Sequence, residues 1–178
     1  MLHQQTRDAP APRAAGGGVD SLLADGLAAA VTIKLDGATY RATLADAVTG
    51  ARGGRNASLW LDGPLVREWR GTAPFRRQAG AAHPLLEAHF AVRWYPGLER
   101  QARVEVVVEN AKTFQSGARN LDYGVEVEVG GRTVYTKDKL RHYHHARWRQ
   151  LAWWNAARAP DLQVRPDSAY LIASRAVS

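Results

Sequence analysis

Hydrophobic and polar positions alternate with a period of two along most of this chain. Leu86, Ala88, Phe90, Val92 and Trp94 alternate with Glu87, His89, Ala91, Arg93 and Tyr95, until Pro96-Gly97 ends the run. Val104, Val106 and Val108 alternate with Arg103, Glu105 and Glu109. Leu121, Tyr123, Val125, Val127 and Val129 do the same against Asp122, Glu126 and Glu128. Such alternation sends successive side chains to opposite faces of a strand, and the apolar set marks the buried face.

Shorter runs extend the pattern. Residues 30–35 and 38–44 flank Asp36-Gly37, a dipeptide suited to a two-residue hairpin turn. Gly130-Gly131 turns the chain in the same way into 133–136. Residues 58–61 and 65–71 read as strands separated by Asp62-Gly63-Pro64, and 147–154 and 169–177 read as the last strands. Residues 49–56 and 137–146 read as polar loops. Residues 20–30 suggest a short helical turn with Asp20 as N-cap, weakened by Gly26. About ten short strands with turns at short intervals predict an all-β fold, an antiparallel β-sandwich. Pro10, Pro12 and Gly16 to Gly18 mark residues 1–18 as a flexible N-terminal arm, leaving 19–178 as a single β-sandwich domain.

Composition narrows the chemistry. The chain has 178 residues and 46% hydrophobic residues, enough for a core without staples. It has no cysteine, which excludes disulfides, thiolate metal sites and a Cys nucleophile. No apolar run has the length of a membrane span, and the first residues lack the basic-then-apolar order of a signal peptide. Lys and Arg number 24 against 17 Asp and Glu, for a net charge of +7, yet no run of five basic residues occurs. The basic residues are therefore expected to be a dispersed solvated surface, and neither nucleic acid nor membrane is expected as a partner.

The most unusual stretch is His142, Tyr143, His144, His145, Arg147, Trp148. In a strand His142 and His144 would share a face and His145 would point away, which does not build a simple metal site. Trp148, Trp153 and Trp154, with Tyr143, form the densest aromatic group, and such rings suit sugar faces and protein interfaces. Trp153 and Trp154 are adjacent, so one of them should lie outside the core. Trp60, Trp69 and Trp94 are expected in the core. Carboxylates are numerous, but no pair is singled out as a glycosidase dyad. No nucleophile elbow, P-loop or dinucleotide fingerprint occurs. No catalytic residue, metal ligand or cofactor is expected.

Gly63-Pro64-Leu65-Val66-Arg67-Glu68-Trp69, then His83-Pro84-Leu85-Leu86 and a long strand, then 104–110 (VEVVVEN) and 134–154 follow one another in an order that resembles a known region. It is similar to the N-terminal β-sandwich of the PcRGLX/YetA-like family, related to rhamnogalacturonan lyases, and to phage-encoded proteins carrying that module. The resemblance covers about residues 30–177. It implies a β-sandwich of the kind found in polysaccharide-processing proteins. Members of that family continue into a larger region expected to hold most of the active-site cleft. The sequence here ends at Ser178, so the fold is expected without the lyase activity.

The expectation is a non-enzymatic phage virion structural protein, a capsid decoration or tail component, made in the host cytoplasm. It would contact other virion subunits or itself, and host-surface polysaccharide, through Tyr143, His144, His145, Arg147, Trp148, Trp153 and Trp154. One alternative is a lyase or hydrolase acting on an acidic glycan, with Tyr143, His144, His145 and Arg147 supplying base and cation. Another is a free carbohydrate-binding module.

Overall fold

The computed structural model describes residues 18–49, 57–78, 80–98, 100–156 and 168–175. The proposed N-terminal arm lies outside the described residues, apart from Gly18. Nine strands occur among them: β1 (Ala29–Leu35), β2 (Ala38–Thr43), β3 (Ser58–Asp62), β4 (Arg67–Arg76), β5 (Ala82–Trp94), β6 (Ala102–Asn110), β7 (Leu121–Val129), β8 (Arg132–His142) and β9 (Ala146–Trp154). Every pairing is antiparallel, in the order β8-β7-β1-β2-β4-β5-β6-β9, with β3 added beside β4.

The expected all-β, antiparallel architecture is therefore the one observed. One link in this strip is thin: β2 meets β4 only at Arg41 opposite Arg76. The strip folds over at that corner into two layers, β8-β7-β1-β2 as the first sheet and β4-β5-β6-β9 as the second. Its far ends, β8 and β9, approach each other and nearly close a barrel. Both two-residue turns have left-handed backbone at both positions, φ 51° and 73° at Asp36 and Gly37 and 58° and 74° at Gly130 and Gly131. That conformation matches the twist of the flanking strands, which is why Asp-Gly and Gly-Gly serve here.

The core lies between the layers. Val31 and Ile33 of β1, Val125 and Val127 of β7, Phe75 of β4, Phe90 and Val92 of β5 and Val104 to Val108 at alternate positions of β6 are all buried. Full burial of each such side chain contributes about 1.5–3 kcal/mol. Helix α1 (Val19–Ala24) buries Val19 and Leu22 against this core. Helix α2 (Leu44–Thr49) buries Leu44, Ala47 and Val48. It starts at a reciprocal cap: Thr43 Oγ1 accepts from the Asp46 N–H at 3.1 Å and donates to the Asp46 carboxylate at 2.7 Å.

Gly18, not Asp20, is the N-cap of α1, with Asp20 in its first turn, and three further expectations need correction. Residues 137–142 are not loop but the second half of β8. That strand pairs with β7 through register shifts and carries Lys137, Asp138, Lys139 and Arg141 along an exposed edge. Charges on an edge strand oppose further strand pairing, so the polar composition here marks an edge. The last segment is not a strand: Ser168–Ala173 forms helix α3. Its short apolar run lacks strict alternation, and such runs do not separate helix from strand. Trp60 is not in the core either. It sits at a bulge of β3, between the pairs Leu59–Trp69 and Leu61–Glu68, and is 65% exposed.

The packing of α2 depends on one glycine. A Cβ on Gly71 would lie 2.4 Å from the Ala47 carbonyl oxygen, a backbone atom that cannot swing away. Gly71→Ala should destabilise the fold by about 2 kcal/mol or more, read as a lowered urea midpoint with an unchanged m-value. An unchanged midpoint would show that α2 does not pack on β4 this closely.

Candidate functional site

The histidine- and tryptophan-rich stretch divides into parts with different roles. His142 closes β8, and its ring is buried. Trp148 Nε1 donates to the Tyr123 hydroxyl at 2.9 Å, and that hydroxyl donates to His142 Nδ1 at 2.8 Å. His142 Nε2 donates to the Ala146 carbonyl at 2.9 Å. A carbonyl only accepts, so the tautomer is fixed with the proton on Nε2. Burial pushes the His142 pKa below its usual 6.5, against the opposing effect of the Ala146 bond. Burial also pushes the Tyr123 hydroxyl far above its ordinary range. Both rings are thus held neutral and fully bonded, with no free valence for a metal or a reacting proton.

Tyr143, His144 and His145 form the tight turn after β8. The His144 N–H bonds Asn120 Oδ1 at 2.8 Å and the His145 N–H bonds the Asn110 carbonyl at 2.8 Å. His145 takes left-handed backbone, φ 62°. This end of the molecule is tied down from the buried Asn110, whose side-chain amide donates to the carbonyls of Arg119 and His142. Tyr143 is exposed, with the Arg141 guanidinium 5.6 Å from its ring centre.

The tryptophans are split by the alternation of β9. Trp148 faces inward against Tyr135 and Tyr123, and Trp154 is 5% exposed against Gly130. Trp154 is thus part of the core, and Trp148 is half-buried with its indole N–H engaged by Tyr123. Trp153 faces outward and stacks on Tyr95 with ring centres 5.6 Å apart. Among the described residues no group of three or more His, Asp or Glu side chains is arranged to hold a metal ion. No helix among them is long and apolar enough to cross a membrane.

Arg147 also faces outward, and it leads to the most developed surface feature. The outer face of the second sheet carries a groove of about 520 Å³, lined by Ser58, Arg70, Gly71, Thr72, His89, Phe90, Ala91, Glu105, Val107, Glu109 and Arg147. Its floor is low because Ala91 and Val107, two small side chains, stand at the centre of the outer face. Its walls are polar. Strand register places Thr72, His89 and Val107 in one cross-strand row, and Glu87, Glu109 and Arg147 in the next. Thr72 Oγ1 and His89 Nδ1 share a hydrogen bond of 3.0 Å. His89 Nε2 is 3.2 Å from Glu109 Oε2, but off the line of a hydrogen bond, and so retains hydrogen-bonding capacity. Glu109 also receives Arg147 at 3.4 Å, and Glu105 lies 3.7 Å from Arg149.

Trp60 covers the Arg70 guanidinium at 4.3 Å from the ring centre, at the groove's end. Arg70 is fixed from below by Glu68, only 2% exposed, at 2.7 Å. Arg93 holds the second Glu68 oxygen. Burial alone would raise the Glu68 pKa, but the hydrogen bonds and charges of Arg70 and Arg93 outweigh it and hold the carboxyl below its usual 4.5.

Thr72, His89 and Glu109 have the residue types of a hydroxyl–base–acid relay, but the surroundings do not suit acyl transfer. The backbone N–H groups of β5 and β6 are committed to strand ladders on both sides, which leaves no amide pair around His89 and Glu109 to receive an oxyanion. Glu105 and Glu109 lie four residues apart on one strand, roughly 13 Å along its length. That exceeds the ~5–9.5 Å separation of glycosidase carboxyls. The groove offers placed hydrogen-bonding groups and one aromatic face.

Fold and groove together define an all-β, antiparallel two-layer protein with an open polar groove on one outer face. A scan of protein-family models and searches of the curated proteins and of the solved structures find no match for the chain.

The buried histidines make stability depend on acidity. His83 Nδ1 accepts the N–H groups of Leu85 and Leu86, and burial lowers its pKa as it does that of His142, with Arg119 and Lys112 adding to the effect. Both groups bind protons more weakly folded than unfolded. Their stabilisation is therefore complete above about pH 6.5, and is lost as pH falls through that value toward the folded pKa. The unfolding free energy read from urea titrations should drop between pH 7 and pH 5, by up to about 1.4 kcal/mol per histidine and pH unit. His142→Gln should be less stable at pH 7 and show a shallower fall. An equal slope in both proteins would place the acid-sensitive group elsewhere.

Proposed function

We propose that this domain is a non-catalytic glycan-binding β-sandwich whose ligand lies in the groove across β4, β5, β6 and β9. The observation that carries this reading is the pairing of a low floor with directional polar walls and an aromatic end. Sugar rings present many hydroxyls around their edges and weakly apolar faces. Carboxylates, guanidiniums and an imidazole accept and donate to adjacent hydroxyls with defined geometry. An exposed indole offers a stacking surface. Glu105, Glu109, His89, Thr72, Arg70 and Arg147 supply the first set and Trp60 the second. These groups stand on paired strands, so little ordering remains to be done on binding.

The site differs from the one expected for Tyr143, His144 and His145, whose turn is held by structural hydrogen bonds. It retains Arg147 at one wall. A glycan array should therefore give saturable ligands, and Trp60→Ala and His89→Ala should each weaken the best of them about tenfold or more. A double replacement of His144 and His145 by Ala should leave affinity within twofold. Loss of binding in that double variant, with full binding in the Trp60 variant, would move the site to the turn and end this assignment.

The particle setting belongs to the same proposal. It is supported by the resemblance to phage-encoded proteins and by the Pro- and Gly-containing segment ahead of Val19. Quantitative mass spectrometry of purified particles should find the chain at high, stoichiometric copy number. Absence from particles would remove the virion role and leave a free binding domain.

A further inference from the structure

We propose that the outer face of the second sheet also holds an oxyanion site, formed by Arg70, Arg93 and Arg103 at the Trp60 end of the groove. Strand register runs a row across this face through Leu61, Glu68, Arg93, Arg103 and Trp153. The neighbouring row runs through Ser58, Arg70, Ala91, Glu105 and Leu151. Arg70 and the small Ala91 of this second row line the end of the groove next to the first row.

The charges in this region do not balance. Arg93 and Arg103 stand directly opposite one another on β5 and β6, an arrangement that repels unless an anion intervenes. Glu68 does not meet that need for Arg103, because Arg70 holds one of its oxygens and Arg93 the other. Glu105 is drawn to Arg149 at 3.7 Å. Among the described residues Arg103 has no carboxylate within ion-pair distance, and its Nε is shielded from water without a hydrogen-bond partner. Four guanidiniums therefore face two carboxylates, both already engaged.

Guanidinium groups bind planar and tetrahedral oxyanions through paired N–H donors. Glu68 pre-positions two of the three here, and Leu61 and the Trp153–Tyr95 stack flank the row. The ligand chemistry is a carboxylate, sulfate or phosphate group, carried by a polymer or present as a free ion. The site rests on the arginine cluster alone and stands whether or not the groove binds neutral sugars.

The test is a titration of protein labelled with nitrogen-15 at arginine. Sodium sulfate is compared with sodium chloride at matched ionic strength, following the arginine Nε–H resonances. Sulfate should shift the Arg103 and Arg93 signals saturably where chloride does not, and Arg103→Gln should weaken sulfate binding about tenfold. Arg103 makes no ion pair, so this variant should fold, checked by an unchanged near-ultraviolet circular dichroism spectrum. Equal shifts in chloride, or sulfate binding unaffected by Arg103→Gln, would overturn the site. Displacement of sulfate by a carboxylated oligosaccharide would assign the oxyanion to a polymer. Displacement by inorganic phosphate alone would assign it to a free ion. Sulfate binding by protein that binds no glycan would leave this site standing while removing the glycan reading.

Discussion

The two ends of the strip are held together by one relay of hydrogen bonds. It runs from Trp148 Nε1 through the Tyr123 hydroxyl to His142, and from His142 to the Ala146 carbonyl. Tyr123 belongs to the first sheet and Trp148 to the second, while His142 and Ala146 bracket the turn that carries the chain between them. Every polar atom in this relay is buried or partly buried, and each finds its partner. In a low-dielectric setting such a network has a unique best arrangement, since a mispaired donor would cost about 1–3 kcal/mol. The apolar core supplies most of the stabilisation, but it is tolerant of sliding. The relay fixes where β9 lies against β7 and β8, and hence which residues of β9 face outward.

That placement decides what the outer face can offer. With Trp148 and Trp154 turned inward, Arg147, Arg149, Leu151 and Trp153 must face solvent. Arg147 then stands opposite Glu109 and beside His89. The same aromatic-rich segment thus closes the core on one side and builds a groove wall on the other. Its abundance of aromatic and imidazole groups is explained mainly by the first task.

The alternation of β5, β6 and β7 was legible in the sequence because a period of two has a direct physical meaning, and both left-handed turns were legible from Asp36-Gly37 and Gly130-Gly131. Trp153 and Trp154 were read correctly as pointing to opposite faces. What could not be read was the register between strands distant in sequence. His89 and Glu109 stood visibly on the polar faces of β5 and β6, yet nothing in the sequence set Thr72 beside His89 or Arg147 beside Glu109. The Thr43-x-x-Asp46 cap did carry a readable helix signal, and it was overlooked because the preceding alternation ran into it. Trp60 was misplaced for a third reason. A bulge breaks the period at that residue, and period was the only basis for putting it in the core.

The two outer faces differ in how completely their polar groups are satisfied. On the first sheet Arg41 reaches Glu128 at 2.7 Å and Thr32 at 2.9 Å, and Thr133 caps Glu126 at 2.9 Å. These contacts close the middle of that face, while at its β8 edge Arg141 and Asp122 stand 3.8 Å apart. On the second sheet the pairs around the groove are longer, 3.4 Å for Arg147 to Glu109 and 3.7 Å for Arg149 to Glu105, while His89 Nε2 and Arg103 Nε lack hydrogen-bond partners. Unpaired polar atoms at a surface cost stability when water cannot reach them, and a ligand that supplies the missing partners recovers that cost. Among the described residues four buried side-chain atoms lack a partner, and two of them, His89 Nε2 and Arg103 Nε, lie on this face, while Asn110 Oδ1 and His144 Nδ1 lie at the β8–β9 turn. The first two lie beside an aromatic ring held in place by a guanidinium, and the proposed ligand site rests on that juxtaposition more than on any residue motif.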